Sequence, residues 1–314
     1  MMAQSETVTS RFICNILIKH TLEISERAAR LSLSHGQLVI RLDEAERRFP
    51  CEDVGVLILQ NPAISLSAAV LNTLLKYGAV VVICDEKHLP SGLLLPTISH
   101  TELVPRMMAQ VEASQPARKN AWKAIVMAKI KAQAQEVDPP AKTALIRLSE
   151  SVRSGDPDNH EAQAARIYWS SMFRERYELN DKRDPESDSF FNSALNYGYA
   201  IIRASVARAI VGAGLNPTLG VFHHRRNNPF CLADDIMEPL RPLVDRTVKE
   251  IMADSEASTS ELTSLHRRRL LELLSKSVSY GESDGPLMAV LPRYVNSFFR
   301  LLVRESTKLE VPTY

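Results

Sequence analysis

The first hundred residues show the hydrophobic pattern of β-strands. Residues 13–19 are apolar and β-branched, and residues 29–42 alternate apolar and polar positions around His35-Gly36, which predicts a hairpin. Two further strands are predicted at 54–60 and at 79–84, the second of them buried because its positions are continuously apolar. This part of the chain therefore predicts a small, mainly β unit.

One helix is predicted inside this β unit. Ser65 or Ser67 can cap its N-terminus, the helix runs to Lys76, and Gly78 ends it. After the strand at 79–84, a turn-like stretch leads to a last short extended segment at 93–96.

From about Glu102 onward the apolar positions change to the period of a helix. The first long helix is predicted at 118–137, where the following residues recur at steps of three and four: Trp122, Ile125, Val126, Lys129 and Ile130. Two more helices are predicted, each after a polar loop: one from Glu161 after loop 154–160, and one at 190–211 after loop 180–189.

Together these patterns predict an α+β fold with two domains. A small N-terminal β-sheet or β-sandwich domain is expected at 1–100, followed by a larger all-α C-terminal domain at 101–314. The chain has 314 residues, 45% of them hydrophobic, which is enough for a packed core.

Composition excludes several classes of protein. No apolar run approaches the ~18 residues of a membrane span, and the polar start Met1 to Ser10 is unlike a signal peptide, so a cytoplasmic protein without membrane contact is expected. The four cysteines (Cys14, Cys51, Cys84 and Cys231) are far apart, which predicts reduced, buried thiols rather than a zinc site. The net charge of +1 gives no sign of nucleic-acid binding, which must then depend on local basic patches.

The residues richest in possible chemistry lie between 212 and 241. Asp235 and Glu238 are three apart at a predicted helix, so they share a face, and His223 and His224 precede them. Paired carboxylates suit Mg²⁺, and Mn²⁺ also accepts an imidazole. The alternative is that Asp234 and Asp235 are ordinary acids of a first helical turn, favoured by the helix dipole.

Glu161 is a second candidate, in the segment HEAQAARIYW. Small neighbouring residues such as Ala162 and Ala165 allow close approach of another helix. The alternative is a helix-start glutamate on a solvated face, and spacing alone does not bring Glu161 to His223 or Glu238.

Four segments, in order, resemble one known family: 161–169, SALNYGYAI at 193–201, NPTLGVFH at 216–223 and LADDIMEPLRP at 232–242. The chain resembles the CRISPR-associated integrase of the spacer-acquisition complex, of a type II system, and the resemblance covers most of its length. The β-then-helical order agrees with it.

The resemblance implies a metal-dependent DNA endonuclease and integrase. Mg²⁺ or Mn²⁺ would be held by Glu161, His223 and Glu238, with His224 the competing histidine and Asp235 a second ligand or a group that orients one. The implied reaction is attack of a fragment's 3′-hydroxyl on a phosphodiester at the edge of a CRISPR repeat.

The expected partners are double-stranded DNA fragments and CRISPR repeat DNA. Basic side chains that could contact phosphates are Arg225, Arg226, Arg241 and Arg246, with Lys182, Arg183 and 267–269 as further patches. The resemblance also implies a homodimer formed by the β domain, and a heterohexamer in which a dimer of a small ferredoxin-like adaptation protein bridges two such dimers. Two alternatives stay open: a DNA-end-binding scaffold without catalysis, and a metal-dependent nuclease with another substrate.

Overall fold

The computed structural model describes residues 19–25, 28–42, 45–86, 90–97, 100–174, 184, 187, 189–254 and 262–314. The strand predicted at 13–19 lies outside the described residues except for Lys19, and so does nearly all of the predicted loop 180–189.

Two four-stranded sheets form the N-terminal part, and one of them contacts the helices. The strands are β1 (His20–Ile24), β2 (Arg30–Ser34), β3 (Gln37–Leu42), β4 (Ala45–Pro50), β5 (Val54–Leu59), β6 (Ser65–Leu66), β7 (Val80–Cys84) and β8 (Pro90–Leu94). The first sheet has the order β1-β5-β7-β8, with β8 antiparallel to β7 and the other pairs parallel. The second sheet has the order β4-β3-β2-β6.

The predicted hairpin is β2 and β3, paired antiparallel from Arg30↔Arg41 to Ser34↔Gln37. Its two-residue turn needs positive φ at both central positions, and His35 has φ 50° and Gly36 φ 77°. The strands predicted at 54–60 and 79–84 are confirmed as β5 and β7. The predicted helix is also confirmed, as α1 (Ala68–Lys76) with Ser67 at its N-cap.

The first sheet is buried on both faces, which explains the continuous apolar runs of its central strands. Val56 and Val80 belong to the large core that the sheet shares with the C-terminal helices. Leu57 and Val81, whose side chains point the other way, belong to a smaller core shared with the second sheet and α1.

The C-terminal part is mainly helical. Its helices are α2 (Leu103–Glu112), α3 (Gln115–Gln135), α4 (Ala141–Ser151), α5 (His160–Met172), α6 (Phe190–Gly212), α7 (Cys231–Met237), α8 (Arg241–Ala253), α9 (Ser264–Leu271) and α10 (Leu287–Leu302). The predicted order of a β part followed by a helical part is confirmed.

The sequence had predicted an all-α C-terminal domain, but this part also contains two strands. Strands β9 (Ser277–Tyr280) and β10 (Ser283–Pro286) form a hairpin there. The physical reason is local: residues of β9 alternate exposed and buried positions, and Gly281 takes φ 61° in the turn. Four residues are too few to separate this pattern from a helix end in the sequence.

Helix α6 crosses α8 at a glycine, and the contact gives a stability prediction. A Cβ built on Gly198 would lie 2.4 Å from Val244 Cγ1, whereas a Cβ on Gly212 in the same helix would meet nothing within 4 Å. Gly198→Ala should therefore lower the free energy of unfolding by about 1–3 kcal/mol through overpacking. Gly212→Ala should be neutral or stabilising by up to about 1 kcal/mol. Urea denaturation of both variants measures this, and equal stabilities would contradict the close crossing.

Within the described part of the chain, no helix has both the length and the apolar character needed to cross a membrane. The described cysteines are free, and Cys51 and Cys231 are buried as expected, whereas Cys84 is only partly buried.

Candidate metal and DNA site

One lysine lies between the two glutamates that the sequence had picked out. Lys129 Nζ on α3 lies 2.5 Å from Glu161 Oε1 and 2.5 Å from Glu238 Oε2. The two carboxylates come from α5 and from the turn before α8, and they are 77 residues apart along the chain (238 − 161). The fold therefore brings Glu161 and Glu238 together around one positive charge.

Glu161 is placed by the loop that precedes α5. Asp156 accepts hydrogen bonds from the backbone N–H of His160 and of Glu161, both at 2.9 Å, and so caps the first turn of the helix. This cap points the Glu161 side chain toward α3, where its Oε1 accepts a hydrogen bond from Lys129.

Glu238 is placed by a single 3₁₀ turn, Glu238–Leu240, between α7 and α8. Arg241 Nε donates to Glu238 Oε1 at 2.7 Å, and the Arg241 guanidinium also lies over the Tyr199 ring, 4.6 Å from its centroid. Tyr168 and Tyr199 both donate hydrogen bonds to the buried Asp245 of α8. These contacts join α5, α6 and α8 around the position of Glu238.

The charges of this group determine the ionisation of Glu238. Burial alone would raise the pKa of Glu238, but the charges of Arg241 and Lys129 outweigh burial and lower the pKa to about 2. For Lys129, burial would lower the pKa, but the carboxylates of Glu238 and Glu161 outweigh it and raise the pKa. Glu238 is thus a carboxylate, and Lys129 an ammonium, throughout the neutral range.

Asp235 organises the loop that carries His223. Its carboxylate is fully buried and accepts hydrogen bonds from the backbone N–H of Val221 (2.6 Å), Phe222 (3.1 Å) and His223 (3.1 Å). It also lies 2.7 Å from His223 Nδ1, which must donate because a carboxylate only accepts. This hydrogen bond raises the pKa of His223 against the effect of partial burial. The arrangement leaves Nε2 of His223 as the nitrogen available to a ligand.

The close approach of this loop to Asp235 needs a glycine. A Cβ on Gly220 would lie 2.4 Å from the carbonyl oxygen of His223 and 2.8 Å from Asp235 Oδ2. Any side chain at this position would displace the loop, so Gly220 sets the path by which the chain reaches His223.

Aromatic packing ties the same loop to α3. The Phe222 ring stacks on Trp122 with centroids 4.0 Å apart, and His223 meets Trp122 edge-on at 6.0 Å. Trp122 precedes Lys129 by seven residues, which is two helical turns, so both lie on one face of α3. His223 is therefore placed on the side of α3 that holds Lys129.

The predicted ligands are only partly assembled. Across the residues that the structure describes, no three His, Cys, Asp or Glu side chains are grouped so as to hold a metal ion. The donor set nevertheless fits a divalent cation. One carboxylate oxygen of Glu161 and one of Glu238 face the same position, which the Lys129 ammonium fills. Glu238 Oε2 is buried and has no hydrogen-bond partner among the described residues. His223 could supply the nitrogen.

Comparison with known proteins identifies the family. The family model described as CRISPR associated protein Cas1 matches residues 22–272. The chain belongs to the Cas1 family. This family assignment agrees with the resemblance drawn from the four sequence segments.

Individual relatives cover nearly the whole chain. A Neisseria meningitidis serogroup C protein named CRISPR-associated endonuclease Cas1 is 36% identical over 277 residues, covering 87% of this chain and 89% of the relative. A casposase bound to its integration product has the same fold, with a TM-score of 0.74, 21% identity and 92% of each chain covered. A Cas6-RT-Cas1–Cas2 complex contains the fold as well, with a TM-score of 0.73, 18% identity, and coverage of 93% of this chain and 36% of that chain.

The predicted DNA-contacting arginines of this Cas1 family member fall into two groups. Arg225 and Arg226 are exposed beside His223, as is His224. Arg241 is engaged with Glu238, and Arg246 pairs with Glu136 at 3.1 Å. The first group is therefore free to reach a phosphate, whereas the charges of the second are directed inward.

The other basic patches are also mixed. Arg267 is buried with its Nε 3.5 Å from Glu23, and Arg269 pairs with Asp254. Lys182 and Arg183 lie outside the described residues.

Sequence reasoning missed the most central residue of the site. Lys129 was counted only as one position of the apolar face of α3, and a lysine in such a face was the signal that could have found it. Tyr168 and Tyr197 are fully buried in the core and are therefore not placed to stack on DNA. Phe222 was not singled out, yet it is 47% exposed and adjoins His223.

Proposed function

We propose that this Cas1 family chain is a metal-dependent DNA integrase that joins short double-stranded fragments to CRISPR repeat DNA. The observation that carries the proposal is the pairing of Glu161 and Glu238 around one cation position, beside a loop that presents His223. The name of the Neisseria relative as an endonuclease and the integration product bound to the casposase support DNA strand chemistry on this fold.

In this mechanism Glu161, Glu238 and His223 would hold Mg²⁺ or Mn²⁺. A divalent ion at this place would supply charge neutralisation at the phosphate and a lower cost of forming the attacking alkoxide. Arg241 fixes the Glu238 carboxylate, and Asp235 holds His223 through Nδ1, which leaves Nε2 for a ligand. Arg225 and Arg226 lie beside the loop where they can bind the phosphates of the incoming fragment and of the target.

The assembly proposed for the reaction has two copies of the site. A homodimer formed through the N-terminal β domain, 1–100, would pair with a second dimer across a dimer of a small ferredoxin-like adaptation protein. The Cas6-RT-Cas1–Cas2 complex among the similar structures supports an assembly with a second protein. Two sites at a fixed separation would measure the length of the fragment.

The test is strand transfer of a labelled short duplex into supercoiled plasmid that carries a repeat array. The reaction contains Mg²⁺ or Mn²⁺ and the small partner, and it compares the wild-type chain, Glu161→Ala and the control Glu150→Ala. Glu150 is an exposed glutamate on α4. We expect joined product with the wild type and the control, and a loss of about 100-fold or more with Glu161→Ala, because a metal ligand is removed.

Two results would contradict the proposal in different ways. DNA binding without joining, under every ion and with an active partner, would favour a non-catalytic scaffold. Cleavage without joining would favour a nuclease that acts on another substrate.

A further inference from the structure

We propose that Lys129 is a built-in counter-ion that occupies the cation position of the metal-free site and must leave it when a divalent ion binds. The lysine thereby sets the affinity of the site for metal. This inference rests on the proposed function, because it takes Glu161 and Glu238 as the metal ligands.

The distances leave room for one cation only. Glu161 Oε1 and Glu238 Oε2 are each 2.5 Å from the same nitrogen, so they cannot be more than 5.0 Å apart (2.5 + 2.5). Mg²⁺ bonds to carboxylate oxygens at roughly 2.0–2.1 Å, which would place it in the same gap as the ammonium. A dication and an ammonium in one gap would repel each other strongly, since Lys129 and Glu238 are both buried.

The charge balance of the group points the same way. Glu161 and Glu238 carry two negative charges, and Lys129 and Arg241 carry two positive charges, so the four residues are neutral together. A neutral group attracts a dication weakly. Once Lys129 has left, the remaining three residues carry one net negative charge and favour the metal.

Departure of Lys129 from the gap would leave the other contacts of Glu238 in place. Its departure breaks the hydrogen bond to Glu161 Oε1 and the ion pair with Glu238 Oε2, and a divalent ion would take both carboxylate oxygens in its place. Glu238 keeps its hydrogen bond from Arg241 after the exchange. The lysine side chain is a flexible four-carbon stem, and it can swing its ammonium away while its Cα stays in α3.

The first measurement is Mn²⁺ binding to the full chain without DNA. The readout is the electron paramagnetic resonance signal of the Mn²⁺ that stays free. Lys129→Met should bind Mn²⁺ at least about tenfold more tightly than the wild type, because a positive charge a few ångströms from the ion is removed. Lys129→Arg keeps the charge and should bind no more tightly than the wild type. Lys131→Met, an exposed lysine of the same helix, should match the wild type.

A second measurement needs no substitution of the lysine. Reductive methylation of the wild-type chain, read by mass spectrometry, should modify Lys129 faster when Mn²⁺ is present, because the ammonium has moved out of its ion pairs. Lys131 provides the internal reference. No Mn²⁺-dependent change at Lys129 would overturn the inference even if Lys129→Met fails to fold.

The outcomes separate this inference from the proposed function. Mn²⁺ binding that is unchanged in Glu161→Ala would remove the proposed metal site. Binding that depends on Glu161 but is unchanged or weaker in Lys129→Met would leave the metal site and overturn the role of Lys129.

Discussion

Replacing Asp235 with alanine should lower the free energy of unfolding by about 4 kcal/mol and reduce strand joining by about 100-fold or more. The buried carboxylate accepts three backbone N–H groups, those of residues 221, 222 and 223, and the ring Nδ1 of His223. Alanine leaves these donors without their acceptor, and each unsatisfied buried donor costs about 1–3 kcal/mol. Joining should fall because His223 loses the hydrogen bond that sets its orientation.

Two readouts and a control variant distinguish this role from a general loss of stability. Urea denaturation gives the free energy of unfolding, and hydrogen exchange of the 220–224 backbone reports the order of the loop. Asp158→Ala is the control for stability, since Asp158 pairs with Arg153 at the surface and its loss should change stability little. If hydrogen exchange at 220–224 stays slow in Asp235→Ala, the carboxylate does not organise the loop.

The elements that local pattern determines were predictable from the sequence. The His35-Gly36 turn specifies a two-residue hairpin through positive φ, and this hairpin was predicted at its observed place. Strand β7 was predicted because five apolar, mainly β-branched residues leave no helical face. The hairpin of β9 and β10 was missed because four residues carry too little periodicity.

The candidate site was predictable in its residues but not in its geometry. Glu161 and Glu238 become neighbours only through the packing of α3 against α5 and against the turn at Glu238, and no spacing rule connects positions so far apart. The position of Asp235 three residues before Glu238 suggested a shared face, yet the structure directs Asp235 to the loop of residues 221–223 and Glu238 to Lys129. A family resemblance supplied the grouping that periodicity could not.

Lys129 shows why a helical pattern alone can mislead. Its position on the buried face of α3 is shared with Trp122 and Ile125, so periodicity treats it as part of the core. Burying an unpaired ammonium is costly, however, and a lysine that is only 8% exposed therefore requires carboxylate partners. A charged residue in an apolar face is thus itself a prediction that acids from elsewhere in the chain converge on it.

Replacing Glu238 with glutamine should destabilise the fold at neutral pH by about 3 kcal/mol, the equivalent of its pKa difference between folded and unfolded chain. The pKa of Glu238 is about 2 in the folded chain, against an ordinary value of 4.5. A carboxyl group with a lowered folded pKa stabilises the fold above its unfolded pKa, and this contribution disappears as the pH falls toward the folded pKa. Joining should fall by about 100-fold or more, because a carboxylate ligand becomes a neutral amide.

The wild type and Glu238→Gln differ in their free energy of unfolding, and the pH dependence of this difference tests whether the Glu238 carboxylate stabilises the fold. Acids that contact neither Glu238 nor its partners titrate alike in both chains, so their contributions cancel when the two chains are compared under the same conditions. Between about pH 5 and about pH 3, the stability advantage of the wild type should shrink by about 2 kcal/mol in urea denaturation. Glu150→Gln, at an exposed glutamate, should show no such trend. An advantage that stays constant over this range would mean that Glu238 is not held as a carboxylate by Lys129 and Arg241, and the charge pairing around the cation position would have to be abandoned.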